Sequence, residues 1–162
     1  MRPTVFSEGF FLQLAAPGAR ASDELALPFG AGKTSPISAV DVARAAAVIL
    51  SDPAPHIGRV YDLTGPESAD LEHYARVFSE ALGRPIRYRD VPLPAWGESL
   101  RQAGFSDYLV RHLSAMAELT RQGRYDRMTD TMCKLTGEAP TSMRDFVKLH
   151  AAEFEQRVPG HS

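Results

Sequence analysis

Residues 59–83 constrain the fold of this chain more than any other stretch. The run RVYDL at residues 59–63 is typical of a buried strand, and the Gly-Pro pair at residues 65–66 ends it. One apolar helical face follows, at i, i+3, i+7 and i+11: Leu71, Tyr74, Phe78 and Leu82. Residues 86–91 then alternate like a second strand. This pattern predicts a β-α-β unit with two parallel strands, in a domain of the α/β or α+β class.

Capping residues mark the ends of several predicted helices. A serine precedes each of four apolar helical patterns, where its hydroxyl can accept a hydrogen bond from a free backbone N–H. These predicted caps are Ser38, Ser68, Ser106 and Ser142. Gly83 stands where a left-handed residue commonly ends a helix. Asp41, in the first turn of the helix after Ser38, is predicted to have a structural role.

The segment before this unit predicts one helix, one loop and one hairpin. Phe6, Phe10, Phe11 and Leu14 recur at helical spacing. Residues 15–22 contain Pro-Gly and small polar side chains, which favours a loop. Residues 24–27 and 34–37 then form two short strands of a hairpin that turns around Gly30.

The segment after the unit is predicted to be mostly helical. Helices are expected over residues 95–103, from residue 107 to about 123, over residues 130–135, and after residue 142. We expect a single domain over residues 1–158 and a disordered tail over residues 159–162.

Composition excludes several classes of protein. The net charge of −2 over 162 residues offers no concentrated basic face for nucleic acid. No apolar run reaches the length of a membrane span or a signal peptide. Cys133 is the only cysteine, which excludes an intrachain disulfide. We therefore expect a cytoplasmic protein that contacts neither nucleic acid nor membrane.

Familiar catalytic and binding motifs are missing from the sequence. There is no Gly-x-Gly-x-x-Gly between a strand and a helix, and no tyrosine is followed four residues later by lysine. Gly32-Lys33-Thr34 imitates the end of a phosphate-binding loop, but Leu27 stands where the first glycine is needed. Cys133 has no adjacent histidine, and no cluster of metal ligands is present. We predict no metal site and assign no catalytic residue.

Ordered short motifs give a family resemblance. They are LPFGAGK (27–33), PISAVDVA (36–43), YDLTGPE (61–67), EALGRPI (80–86) and LTGEAP (135–140). Together they resemble the C-terminal half of NmrA-like proteins, atypical members of the short-chain dehydrogenase/reductase superfamily. The resemblance covers roughly residues 1–155, without the N-terminal Rossmann nucleotide-binding half. It implies an α+β fragment of a doubly wound α/β (Rossmann-like) fold, mostly helical, with two longer strands and a short hairpin.

The resemblance also implies candidate site residues. By position, Arg2, Pro3 and Phe6 are expected beside the nicotinamide of NAD(P). Substrate-pocket candidates are Phe10, beside that segment, and four side chains from the helical region, chosen by type: Trp96, Phe105, Tyr108 and Met116. The resemblance alone supplies NAD(P) as the cofactor, and the alternative that this chain binds none stays open.

Three interpretations of function follow. The first is the substrate-side, or cap, portion of an NAD(P)-binding reductase of small carbonyl or quinone-like compounds, not catalytic alone. The second is a non-catalytic redox-sensing or protein-interaction regulatory module. The third is a truncated reading frame. Because a parallel strand normally has neighbours on both sides, we expect exposed apolar surface that is covered in a homodimer or by a separate nucleotide-binding chain.

Overall fold

The computed structural model describes residues 1–155, in which helices predominate over four short strands. The strands are β1 (Arg2–Pro3), β2 (Glu24–Leu27), β3 (Asp62–Leu63) and β4 (Arg87–Asp90). A π-helix (Glu8–Ala15) and a 3₁₀ turn (Ala54–His56) accompany α-helices α1 (Ala16–Ser22), α2 (Ala39–Ser51), α3 (Leu71–Leu82), α4 (Leu93–Gln102), α5 (Asp107–Arg121), α6 (Thr131–Thr136), α7 (Met143–Leu149) and α8 (Ala151–Phe154). The mostly helical α+β architecture is confirmed.

The strands form two separate parallel pairs. β1 pairs with β3, with Arg2 opposite Asp62, and β2 pairs with β4, with Glu24 opposite Arg87. The two strands of the predicted β-α-β unit, β3 and β4, therefore do not pair with each other, and that part of the prediction is wrong. Each has a parallel partner from earlier in the chain instead, which local hydrophobic pattern does not reveal.

The predicted hairpin around Gly30 is also wrong. β2 exists, but residues 34–37 do not return beside it. Thr34 instead exchanges backbone hydrogen bonds with Ala69 (N···O 3.0 and 3.1 Å), and the Ile37 N–H donates to the Val5 carbonyl at 3.0 Å. Pro36 has no N–H, so this extended segment takes single bridges to two different neighbours rather than one continuous ladder.

Residues 15–22 form a helix rather than the predicted loop. The phenylalanine-rich segment becomes the π-helix and runs directly into α1. Pro17 lies where the π-helix passes into α1, and the helix continues through it. Asp23, in the left-handed conformation (φ 58°), ends it.

Three of the four predicted serine caps are confirmed. The hydroxyls of Ser38, Ser106 and Ser142 accept hydrogen bonds from the N–H groups of Val40, Leu109 and Asp145. The prediction for Ser68 is wrong, because Asp70 caps α3 instead: its carboxylate accepts a hydrogen bond from the His73 N–H at 2.8 Å. Gly83 (φ 67°) ends α3 as predicted.

An aromatic core holds the helices together. The Phe11 ring contacts those of Tyr74, Phe78 and Phe146, and Phe78 meets Phe154 edge-on with ring centroids 5.0 Å apart. All five side chains are at most 2% exposed. The π-helix is thereby packed against α3 and α7, and α8 packs against α3.

A buried carboxylate joins α2 to the loop before α7. Asp41 is 2% exposed and accepts hydrogen bonds from the Thr141 N–H (2.7 Å), the Thr141 hydroxyl (3.1 Å) and the Arg44 guanidinium (2.9 Å). It makes no capping box with Ser38, because the Glu8 carboxylate occupies that helix end. The structural role predicted for Asp41 is confirmed.

Within residues 1–155, no helix combines the length and apolarity needed to cross a membrane. The predicted tail, residues 159–162, lies outside the described residues, and so does the predicted end of the domain at residue 158.

We expect Asp41→Ala to lower the free energy of unfolding by about 2–4 kcal/mol, because it leaves the Thr141 N–H and the Arg44 guanidinium without their buried acceptor. Urea unfolding followed by circular dichroism measures the change. Glu138→Ala is the control, since it removes the exposed partner of the same arginine and should cost less than about 1 kcal/mol. Equal losses in the two variants would contradict this role of Asp41.

Candidate functional site

An open cavity of about 400 Å³ lies between the chain that follows β1 and helix α5. Its walls come from residues 3–6, the π-helix, the α4–α5 connection, α5 and the segment after α5. The lining residues are Pro3, Thr4, Val5, Phe6, Gly9, Phe10, Gln13, Leu14, Phe105, Leu109, His112, Leu113, Met116 and Tyr125. This volume lies within the range of small-molecule sites in proteins.

One wall of the cavity is the π-helix. Its hydrogen bonds close over five residues, as in the bond from the Ala16 N–H to the Phe11 carbonyl. Each turn is therefore wider than an α-helical turn, and residues four and five apart share a face. Gly9, Gln13 and Leu14 line the cavity on this face.

Phe10 is held in a fixed orientation at the base of this wall. Its ring stacks on Phe29 with centroids 4.8 Å apart and an interplanar angle of 19°, and it meets Phe11 edge-on at 5.0 Å. Phe10 is 6% exposed, whereas Phe6 at the rim is 41% exposed. The cavity therefore has a rigid aromatic base and an accessible aromatic edge.

The opposite wall is one face of α5. Leu109, His112, Leu113 and Met116 follow the i, i+3, i+4, i+7 spacing of a helical face. The Ser106 cap fixes the start of this helix. Phe105, just before the cap, and Tyr125, after the helix, close the two ends of the wall.

The lining carries no formal charge. Among the residues of this cavity there is no lysine, arginine, aspartate or glutamate, and the side chains that can hydrogen-bond a ligand are Gln13, His112 and Tyr125. The Thr4 hydroxyl is already used, since it donates to the Ser35 carbonyl at 2.6 Å. Such a lining suits a neutral, largely apolar ligand with a few hydrogen-bonding atoms.

The structure brings together five of the eight candidate site residues. Pro3, Phe6 and Phe10 line the cavity, as do the further candidates Phe105 and Met116. Arg2 does not: its guanidinium pairs with the Asp62 carboxylate across β1 and β3, at 3.0 and 3.1 Å. The nicotinamide contact predicted for Arg2, Pro3 and Phe6 stays a prediction.

Trp96 and Tyr108 do not line the cavity. Trp96 is 6% exposed and packs in the hydrophobic core as part of α4. Tyr108 lies in the first turn of α5, about a quarter turn away from the face that carries Leu109, His112 and Leu113, and it is 74% exposed. Selection by side-chain type ignored this helical phase.

Sequence reasoning missed Gly9, Gln13, His112 and Tyr125. Helical spacing could have identified His112, because it lies three residues after Leu109 and four before Met116 and so shares their face of the helix. Gln13 and Gly9 depend on the π-helical turn, which the sequence pattern did not indicate. No local signal pointed to Tyr125, which reaches the cavity through the turn after α5.

Two tyrosine hydroxyls, those of the buried Tyr74 and the half-buried Tyr88, lie within hydrogen-bond distance of backbone carbonyls. The Tyr74 hydroxyl donates to the Thr34 carbonyl at 2.9 Å, and burial raises the pKa of Tyr74, with the nearby Glu67 carboxylate adding to the effect. Burial and the neighbouring Asp90 carboxylate likewise raise the pKa of Tyr88, whose hydroxyl lies 3.0 Å from the Leu27 carbonyl.

Asp90 ties the loop after β2 to the end of α5. Burial opposes its ionisation, but the Gly30 N–H, the Arg121 guanidinium and the Tyr88 hydroxyl together lower the pKa of this carboxyl. Arg121 donates to it at 2.9 Å. The loop that carries Phe29, on which Phe10 stacks, is thereby fixed to α5.

Carboxylates occupy the starts of α2 and α3, which are therefore not available to the pyrophosphate of a dinucleotide. That group is usually bound by free N–H groups at a helix N-terminus. The Glu8 carboxylate occupies the start of α2, with both oxygens 3.0 Å from the Ala39 N–H, and Asp70 occupies the start of α3. The cavity lining, which has no lysine or arginine, also offers no counter-ion for a pyrophosphate. No group of three or more possible metal ligands occurs in residues 1–155.

Sequence comparison finds similar curated proteins. The chain is 31% identical over 154 residues to an NAD(P)H azoreductase of Xenophilus azovorans, covering 93% of this chain and 54% of that protein. It is 27% identical over 118 residues to quinone oxidoreductase 2 of Escherichia coli, covering 73% and 41% of the two chains. No family model matches the sequence. The chain spans about half the length of the curated relatives it matches.

Structure comparison agrees. An NADPH-dependent quinone oxidoreductase of Escherichia coli superposes with a TM-score of 0.81 at 25% identity, covering 91% of this chain and 53% of that one. The triphenylmethane reductase of Citrobacter sp., solved with NADP(H), gives 0.78 at 20% identity over 91% and 51% of the two chains. The fold is part of a Rossmann-like reductase fold. That the matching part is the C-terminal half stays a prediction.

We expect Tyr74→Phe to lower the free energy of unfolding at neutral pH by about 0.5–1.5 kcal/mol, because the Thr34 carbonyl loses one of its two donors and keeps only the Ala69 N–H. Since the folded-state pKa of Tyr74 is raised, its neutral form stabilises the fold below about pH 10, and this contribution is lost as the pH rises further. Tyr74→Phe should therefore lose less stability than the wild type from about pH 9 to about pH 11.

Urea unfolding at several pH values measures both effects. Tyr108→Phe is the control, because that side chain is 74% exposed and its variant should follow the wild type throughout. Parallel pH profiles of wild type and Tyr74→Phe would contradict the role assigned to the buried phenol.

Proposed function

We propose that this chain is the acceptor-binding, substrate-side part of an NAD(P)H-dependent reductase of small carbonyl or quinone-like compounds. The observation that carries the proposal is the uncharged, aromatic-lined cavity beside residues 3–6. The similarity to azo-, quinone- and triphenylmethane-reducing enzymes supports the same class of ligand.

The shape and chemistry of the cavity favour a flat conjugated molecule. Phe6 and Phe10 offer ring surface from one side, and the aliphatic side chains of Leu113 and Met116 offer apolar contact from α5. His112 and Tyr125 supply hydrogen-bond donors for a carbonyl oxygen. A neutral quinone matches all of these groups, whereas a multiply charged metabolite finds no counter-ion.

Reduction also needs a nucleotide-binding unit. The sequence has no glycine-rich loop, and carboxylates occupy the starts of α2 and α3. We therefore propose that this chain binds the acceptor, that another polypeptide unit holds the body of NAD(P), and that the chain alone does not catalyse hydride transfer. Its cytoplasmic location stays a prediction.

An exposed apolar face is the proposed contact surface for that unit. It consists of Met1, Leu50, Ile57 and Val60, which are 50%, 75%, 80% and 62% exposed. A shallow cavity of about 230 Å³ on this face is lined by Met1, Leu50 and Tyr61, among others. β1 lies beside it and pairs with β3 alone among the described strands. In the purified chain, where no nucleotide-binding unit is present, we propose that a second copy covers the face.

We expect the purified chain to bind 2,3-dimethyl-1,4-naphthoquinone without any cofactor. Both reactive ring carbons of this quinone are methylated, so it does not alkylate the exposed Cys133. Phe6→Ala should weaken binding about 5- to 30-fold, corresponding to about 1–2 kcal/mol for the loss of one aromatic contact. Equilibrium dialysis measures the dissociation constant.

Ile57→Ala is the matched control, since it removes an exposed apolar side chain from the other face and should leave binding unchanged. With NADPH added, the absorbance of the reduced nicotinamide should stay constant. Absence of quinone binding by the folded chain would contradict the proposed acceptor site, and steady NADPH oxidation would contradict the need for a second unit.

We expect the purified chain to dimerise reversibly through the exposed apolar face, because dimerisation would bury the exposed side chains of Leu50 and Val60. Leu50→Glu should give a monomer in sedimentation velocity over about 1–100 μM, since an unpaired charge in an apolar interface is costly. Leu149→Glu is the control: this leucine is equally exposed, at 74%, but lies on α7. A wild-type monomer over the whole range, or equal effects of both variants, would contradict this interface.

A further inference from the structure

Gly9 lies on the π-helix among the residues that line the cavity. A Cβ atom added to Gly9 meets no other atom within 4 Å. Gln13 and Leu14, which follow four and five residues later on the same helix, also line the cavity. A side chain at position 9 would therefore project from the cavity-lining face.

Neither backbone conformation nor packing accounts for this glycine. Most other described glycines have a positive φ, where side chains are strained, or would place a Cβ against neighbouring backbone atoms. The first group is Gly30, Gly58, Gly83, Gly104, Gly123 and Gly137, and the second is Gly18, Gly32 and Gly65. Gly97, between two helices, already has the Val110 side chain within 3.5 Å of its added Cβ. Gly9 has ordinary helical backbone and open space.

Gly9 is the second residue of the π-helix, and glycine loses more conformational freedom than alanine when a helix forms. At Gly9 the disadvantage is not offset by any protein contact that a side chain would disturb. What glycine provides here is the empty volume above the π-helix, between Phe6 and Phe10 on one side and α5 on the other.

We propose that Gly9 is the specificity-determining position of the cavity and that it admits acceptors with two or more fused rings. The inference rests on the proposed function, because it assigns an acceptor size to the same site. The quinone ring lies against Phe6 and Phe10, and the fused second ring occupies the strip above Gly9. A larger side chain at this position fills the strip and leaves room for a single ring.

Two neutral quinones test the proposal. 2,3-Dimethyl-1,4-naphthoquinone has a fused second ring, and tetramethyl-1,4-benzoquinone carries two methyl groups in its place. Neither has a free quinone carbon that would react with Cys133. Equilibrium dialysis with the full chain gives the dissociation constants for the wild type, Gly9→Ala and Gly9→Leu.

We expect Gly9→Leu to weaken binding of the naphthoquinone at least 10-fold and binding of the benzoquinone less than 2-fold, with Gly9→Ala in between. Gly9→Ala should melt at or above the wild-type temperature, since its added Cβ meets no other atom within 4 Å and alanine favours the helix, and circular dichroism checks that Gly9→Leu is folded. Ala21→Leu, on exposed α1, is the control for an added leucine and should leave both quinones unaffected.

The outcomes separate the inference from the proposed function. Unchanged binding of both quinones by Gly9→Leu, or equal loss of both, would overturn the role of Gly9 while leaving the acceptor site in place. Failure of the wild type to bind either quinone would overturn the proposed function and the inference with it.

Discussion

The extended segment over residues 2–7 is hydrogen-bonded on both edges, and the position of the cavity depends on this pairing. On one edge the Arg2 and Thr4 N–H groups donate to β3 and its flank, at 2.7 and 2.9 Å. On the other, Val5 and Ser7 exchange bonds with Ile37 at 3.0 and 2.9 Å. With both edges held, the chain can enter the π-helix at one place only, and Phe10 is delivered to the base of the cavity.

The sequence predicted elements better than it predicted their partners. Helix α3 was predicted from its apolar periodicity and from Gly83 as the residue that ends it, and both signals are local to the segment. The pairing of β3 with β1 and of β4 with β2 was not predictable, because each ladder joins residues more than fifty positions apart. The loop expected at residues 15–22 failed for a different reason: Pro17 was taken as a helix breaker, although the helix continues through it.

The site was predicted in part, and by two different routes. Pro3 and Phe6, which the family resemblance singled out, line the cavity because backbone pairing fixes the chain around them, and their contact with a nicotinamide stays a prediction. Selection by side-chain type failed for Trp96 and Tyr108, because such large rings occur both in protein cores and on protein surfaces. The phase of α5 would have placed Tyr108 about a quarter turn from the centre of the face formed by Leu109, Leu113 and Met116. The sequence pattern did not predict the π-helix, because a segment of 8 residues is too short for its longer helical period to be recognised.

Helix α2 connects two parts of the molecule that are otherwise far apart in the chain. Its first turn is bonded to Glu8, at the start of the π-helix that walls the cavity, and its last turns carry Leu50 on the exposed apolar face. Thirteen residues of α-helix make a rod of about 20 Å. The start of the π-helix that walls the cavity and the exposed apolar face are therefore attached to opposite ends of the same helix.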